Sequence, residues 1–214
     1  TVNSTTGVIA IVTAGDCVIT ATKATDTNYL VATSPVTITI ARATQAAVSI
    51  SATYASMTYA DGSSNVVTLS GGSGTGSITY SSSTSSVCSV NATTGAVTVV
   101  TAGTCSISAS KATDTNYLVA SASINITINK AAQTAITAST DHGNTTYGSS
   151  TVVTISITGG SGTGAITYSS DTALICSVNS STGVLTVLGA GVCQIKATRA
   201  ADTNYNQASN TVTV

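Results

Sequence analysis

The sequence predicts an all-β fold, a row of small β-sandwiches joined end to end. Three observations carry this. The decapeptide KATDTNYLVA occupies residues 23–32 and 111–120, and a variant, RAADTNYNQA, occupies 199–208, so the phrase returns every 88 residues. Only 6% of residues are charged, against about 25% in an average soluble protein. Thr, Ser, Val, Ala and Ile fill the chain instead, and stiff β-branched side chains favour a pleated, half-buried surface over a helix. Short runs of alternating character, each bounded by Gly, Asn, Asp or Ser, complete the pattern of an all-β sandwich.

The repeat sets the organisation. Cys17, Cys105 and Cys193 are spaced by 88, as are Gly15, Gly103 and Gly191, and Tyr29, Tyr117 and Tyr205. Residues 1–40 match residues 89–128 at 25 of 40 positions. The upstream half also recurs, GGSGTGSITYSS from Gly71 returning as GGSGTGAITYSS from Gly159. This predicts one complete unit over 41–128, a second over 129–214, and the C-terminal part of a unit over 1–40. A period of 88 exceeds the 20–50 residues of solenoid coils and suits small domains with separate cores.

Within the last unit, VVTISIT, AITYSS, LICSV, GVLTVL, GVCQIKATR and SNTVTV are the expected strands, taken in order. Side chains alternate across a strand, so Cys193, Ile195 and Ala197 share one face while Gln194, Lys196 and Thr198 share the other. The matching strand sets Cys105, Ile107 and Ala109 against Ser106, Ser108 and Ser110. The joints, ITIARATQAAVSI and ITINKAAQTAITA, contain no Gly, Pro or Ser-rich spacer. Flexible linkers use such residues, so the joints predict strand running almost straight into strand, and a stiff rod.

Two chemistries compete for the five cysteines. Cys88 and Cys105 are 17 apart, as are Cys176 and Cys193. Zinc wants close Cys pairs or nearby histidines, and the single histidine is His142. A disulfide needs only two inward cysteines on adjacent strands, and this is the favoured reading, Cys88–Cys105 and Cys176–Cys193. It places the chain outside the reducing cytosol. Cys17 has no partner in this numbering, since a mate 17 residues earlier falls one position before Thr1. The expectation is a polypeptide that continues upstream, with an intermolecular bridge as the alternative.

Composition narrows function. A net charge of −1 gives no electrostatic footprint for nucleic acid or an anionic membrane. No apolar run reaches the eighteen residues of a spanning helix, and the N-terminus has no signal-peptide pattern.

The segment ITYSSSTSSVCSVNATTGAVTVVTAGTCSISAS, Ile78 to Ser110, resembles the bacterial immunoglobulin-like repeats of group 2. Tyr80 stands where that family usually has Trp, and Cys88 and Cys105 stand where it has small residues. The KATDTNY tail and the GGSGTG element look like a variant common in very long repetitive bacterial surface proteins. The resemblance implies tandem immunoglobulin-like β-sandwich domains in a rod-like array, used as spacer or stalk in adhesins and other extracellular fibres. It carries no catalytic residues.

Each candidate site has a plainer rival. Asp114 and Asn116, with Asp26/Asn28 and Asp202/Asn204, offer oxygens to calcium, but a turn in which Asp and Asn bond their own backbone accounts for them better. GGSGTG lacks the Lys and following helix of a phosphate loop and reads as a bend between strands. His142 reads as a loop residue. A Lys–Asn isopeptide bond finds neither a Glu nor a repeated inward Lys. Sequons N-x-S/T occur at Asn3, Asn91, Asn125, Asn144 and Asn179. Those at Asn3, Asn91 and Asn179 share a VN-x-S/T-TG turn, which serves either glycosylation or the turn itself.

The expected function is a non-catalytic structural repeat of a long extracellular bacterial surface protein, as stalk, adhesin shaft or filament. No cofactor is expected. Expected partners are neighbouring repeats of the same polypeptide, identical chains in a filament or bundle, and a glycan or host surface. The alternative is a glycan- or protein-binding adhesion module, for which Tyr54, Tyr59, Tyr147 and the Tyr of each TNY are the exposed aromatic candidates. The recurrence of these tyrosines fits packing at joints better than one specialised site.

Overall fold

The computed structural model describes residues 1–214 and is all-β. It opens on a hairpin of β1 (Gly15–Lys23) and β2 (Ala32–Ile40), antiparallel with Gly15 opposite Ile40 and Lys23 opposite Ala32. The hairpin leaves Val18, Val36 and Ile38 exposed, and the free Cys17 is half-buried.

The central part is a complete sandwich. Its strands are β3 (Val48–Ala52), β4 (Ser56–Thr58), β5 (Asn65–Gly71), β6 (Ile78–Ser82), β7 (Cys88–Val90), β8 (Ala96–Val99), β9 (Gly103–Lys111) and β10 (Ala120–Asn129). They form two four-stranded sheets, in the orders β4-β10-β9-β6 and β3-β5-β8-β7. All pairs are antiparallel except β4 with β10. The core lies between the sheets because inward positions alternate with hydroxyl-bearing ones. Cys105, Ile107 and Ala109 on β9 and Ile126 on β10 have no exposed surface, whereas Ser108, Ser121 and Ser123 face out. Burying one such isoleucine contributes about 1.5–3 kcal/mol. Tyr80 is buried among them, and its hydroxyl accepts the Leu69 N–H at 3.2 Å.

Cys88 on β7 is bonded to Cys105 on β9, so the bridge joins the two sheets. That inter-sheet placement, with antiparallel sheets around one core, is the arrangement of an immunoglobulin-like sandwich.

The pattern returns in β11 (Ile136–Thr140), β12 (Ile155–Gly159), β13 (Ile166–Ser170), β14 (Cys176–Val178), β15 (Leu185–Val187), β16 (Gln194–Arg199) and β17 (Ala208–Thr213). One sheet is β13-β16-β17, and the pairs β11-β12 and β14-β15 are linked by a bridge between Thr154 and Val184. The Cys176–Cys193 bond again crosses between the layers. Residues 144–146, the counterpart of β4, form no strand. Thr145 stands where Met57 is buried in the central sandwich, and the shorter polar side chain supplies less apolar surface to hold an edge strand down.

The joints depart from the straight strand expected of them. β2 stops at Ile40 and β3 starts at Val48, and likewise β10 stops at Asn129 and β11 starts at Ile136. The intervening segment is not idle. Ala43 forms a parallel bridge with Tyr117, and Ala131 with Tyr205. The backbone of each joint is thus satisfied by the loop that carries the DTNY motif instead of by a continuous ladder.

Candidate functional site at the joint

The DTNY loop connects the last two strands of each repeat, and its aspartate organises it. Asp114 Oδ1 accepts the N–H groups of Asn116 and Tyr117 at 2.9 and 2.8 Å. This is the local turn expected of Asp. The other oxygen reaches further. Oδ2 accepts the Thr75 N–H at 2.6 Å and its hydroxyl at 3.3 Å, which ties the loop to GGSGTG. Asp202 repeats the set with Asn204, Tyr205 and Thr163 at nearly the same distances. The Thr163 N–H, then those of Tyr205 and Asn204, hold the Asp202 carboxyl down to about 2. The Thr75 and Asn116 N–H groups lower that of Asp114 in the same way. Hydrogen bonds to the ionised form favour it.

A glutamine from the joint closes the cluster. Gln45 Nε2 donates to the carbonyls of Leu118 and Ala112, at 2.8 and 3.4 Å, while its Oε1 accepts the Gly74 N–H at 3.3 Å. Gln133 does the same with Asn206, Ala200 and Gly162. Three segments distant in sequence are therefore held together at one pole of each sandwich. Glycine is required where they approach most closely: a Cβ on Gly76 would sit 2.0 Å from the Ala112 carbonyl oxygen, and one on Gly164 would sit 1.9 Å from that of Ala200.

From this pole two side chains reach the preceding repeat. Asn116 Oδ1 accepts the Ala14 N–H at 2.9 Å, and Asn204 Oδ1 accepts the Ala102 N–H at 2.9 Å. Both members of the contact advance by 88 residues, so one joint reproduces the other. At the second joint Tyr205 also packs edge-on against Tyr59, with ring centroids 5.6 Å apart and planes at 86°. Such T-shaped pairs contribute about 0.5–1.5 kcal/mol beyond the area they bury.

The joint takes in only some of the sequence-derived candidates. The oxygens proposed as calcium ligands, on Asp114 and Asn116, face N–H donors, and no three His, Cys, Asp or Glu residues cluster anywhere. Asn116 does not bond its own backbone, as the turn reading expected; it serves the neighbouring repeat. His142 Nδ1 lies 3.0 Å from Asp141 Oδ1 on an exposed loop. At Asn3, Asn91 and Asn179, Oδ1 accepts the N–H groups two and three residues on, at 2.9–3.0 Å. All three lie exposed in their turns. Asn125 accepts the Ser106 hydroxyl at 2.7 Å on an exposed strand face. Tyr54 is half exposed.

Sequence reasoning missed Thr75, Thr163, Gln45 and Gln133 as partners of the DTNY loop. The signal was present: all four lie in segments that keep the same step of 88.

No protein-family model matches the chain, and no curated protein matches it. Among solved structures it is similar to mouse cadherin-23 EC22-24, with 16% identity and a TM-score of 0.32 over 93% of this chain and 73% of that one. Protocadherin gammaB7 EC3-6, in a cis-dimer structure, gives 17% identity and a TM-score of 0.37, over 93% of this chain and 55% of that one. The surface layer protein SbsC, domains 1-6, gives 14% and 0.29 over 98% of this chain and 36% of that one. At this level of likeness the matches accompany the fold and add nothing to the reading of the joint.

Proposed function

We propose that this chain is a non-catalytic structural module of a long extracellular bacterial surface protein, a strut whose length is set by the number of repeats. The units are residues 41–128 and 129–214, with 1–40 the C-terminal part of another. The observation that carries this reading is the duplicated joint contact, Asn116 to Ala14 and Asn204 to Ala102. A contact that returns in register fixes each unit on the last in the same orientation, and this is what a strut needs. The inter-sheet disulfides support an oxidising location, and the resemblance of Ile78–Ser110 to bacterial repeats supports the source.

Small-angle X-ray scattering of the chain tests the strut. The expected result is a stiff, extended particle, loosened to a flexible one by Asn204→Ala with Tyr205→Ala. A wild-type chain already flexible about residues 129–135 removes the reading. Electron microscopy of the native material then separates a filament from a stalk. An axial step of about 30–45 Å per unit, as strands of this length give, repeated over long fibres indicates the former.

A further inference from the structure

The turns at Asn3, Asn91 and Asn179 hold side-chain atoms that the fold does not use. These residues advance by 88, and the last two open the β7–β8 and β14–β15 turns. In each, Oδ1 accepts the N–H groups two and three residues on. Asp26, Asp114 and Asp202 build the same turn elsewhere in the chain, with the same two donors at 2.8–2.9 Å. An ionised carboxylate accepts such bonds more strongly than a neutral amide. The turn alone therefore favours Asp over Asn. What Asn adds is Nδ2, which bonds to nothing at any of the three positions, all of them exposed.

The neighbouring hydroxyls show the same division. Thr6, Thr94 and Thr182, three residues on, each accept a backbone N–H through Oγ1 at 3.4 Å, so the fold employs them. The residues two on are Thr5, Thr93 and Ser181, always hydroxyl-bearing. The hydroxyls of Thr5 and Ser181 bond to nothing, and that of Thr93 turns back to Asn91 Oδ1 at 3.0 Å. The matching position of the Asp turns holds Asn28, Asn116 and Asn204, so the turn itself asks for no hydroxyl there. A free amide nitrogen on an exposed turn, with a hydroxyl two residues on, is the acceptor pattern of N-glycosylation.

We infer that Asn91 and Asn179, with Asn3 at the same step, carry N-linked glycan, one per repeat. Nδ2 attacks the anomeric carbon of a sugar activated as a phosphate ester. The C–N bond forms as the C–O bond to phosphate breaks, phosphate leaves with the electron pair, and the amide gives up one proton. A transferase of the producing cell supplies the catalysis. Asn91 precedes β8, and Ala102, which meets Asn204, follows it, so sugar and joint lie at opposite ends of that strand. With 6% charged residues the surface has little of the charge that keeps proteins apart, and a bulky, solvated chain on each unit takes its place.

Mass spectrometry of the reduced native protein tests it. Trypsin cuts after Arg42 and Lys111, and the peptide between them contains Asn91 as its one sequon. The expected result is a mass above that of the bare sequence, with sugar-derived fragment ions, and electron-transfer fragmentation that places the added mass on Asn91. Asn91→Asp, which retains the Oδ1 bonds of the turn, and Thr93→Val, each made in the producing organism, abolish the added mass, while Thr93→Ser retains it. A native peptide of bare mass overturns the inference. So does added mass that sits on Ser or Thr while Asn91 is bare, or that survives Thr93→Val.

Discussion

Replacing Cys88 and Cys105 together by alanine should weaken the central sandwich while leaving its neighbour almost untouched. The bond closes a loop of 17 residues between two sheets. In the chain-entropy treatment a closed loop of that length stabilises by about 3 kcal/mol at 25 °C. Both cysteines have no exposed surface, so truncation also leaves a small void, and the total loss falls at about 3–5 kcal/mol. A chain of several units does not unfold in one two-state step, so a global midpoint is the wrong readout. Native-state amide exchange reads each sandwich by itself. Core amides of β9 should exchange at least about a hundredfold faster, since 1.36 kcal/mol is a factor of ten, while those of β16 change little. A change below tenfold in β9 would refute the crosslink as a main support. Equal acceleration in β16 would refute the separateness of the two cores.

Other outcomes follow from single contacts. The depressed carboxyls of Asp114 and Asp202 are ionised and bonded in the folded chain. Their contribution is complete above the ordinary carboxylate range near pH 4 and is lost as pH falls towards about 2, where Asp202 protonates. An acid titration of the Thr163 amide shift should follow this, and Asp202→Asn should flatten it. Gly164→Ala drives a methyl into the Ala200 carbonyl and should cost about 1–3 kcal/mol as an overpacked site. Gly143→Ala, with nothing within 4 Å, should leave the amide exchange of the last sandwich unchanged, where Gly164→Ala speeds it. Ile195→Ala, at a site with no exposed surface, should cost about 2–5 kcal/mol, read as faster exchange in β16.

Much of the fold was written in local pattern. Alternation along GTCSISAS and GVCQIKAT assigned the inward faces because period-two side-chain direction is a property of the strand itself. The repeat step was legible by identity of letters. The joint was not. ITIARATQAAVSI contains no breaker and so predicts continuous strand, yet the backbone there leaves the ladder to bridge Tyr117. No local propensity records a partner more than seventy residues away.

By itself the sequence determined the all-β class, the step of 88 residues and the buried face of each strand, all of which depend on neighbours along the chain. Only the tertiary structure decided where Asn116 and Asn204 point. Their turn is the one that Asp, Thr and Asn dictate locally, but its outcome is set by the Thr75 and Thr163 N–H groups that hold Oδ2 of Asp114 and Asp202 from another loop. With the carboxylate anchored there, the amide is left facing the Ala–Gly turn of the repeat before it. A hydrogen bond between units exists only once both units have folded, and for that reason the joint belongs to the assembled chain and not to any segment of it.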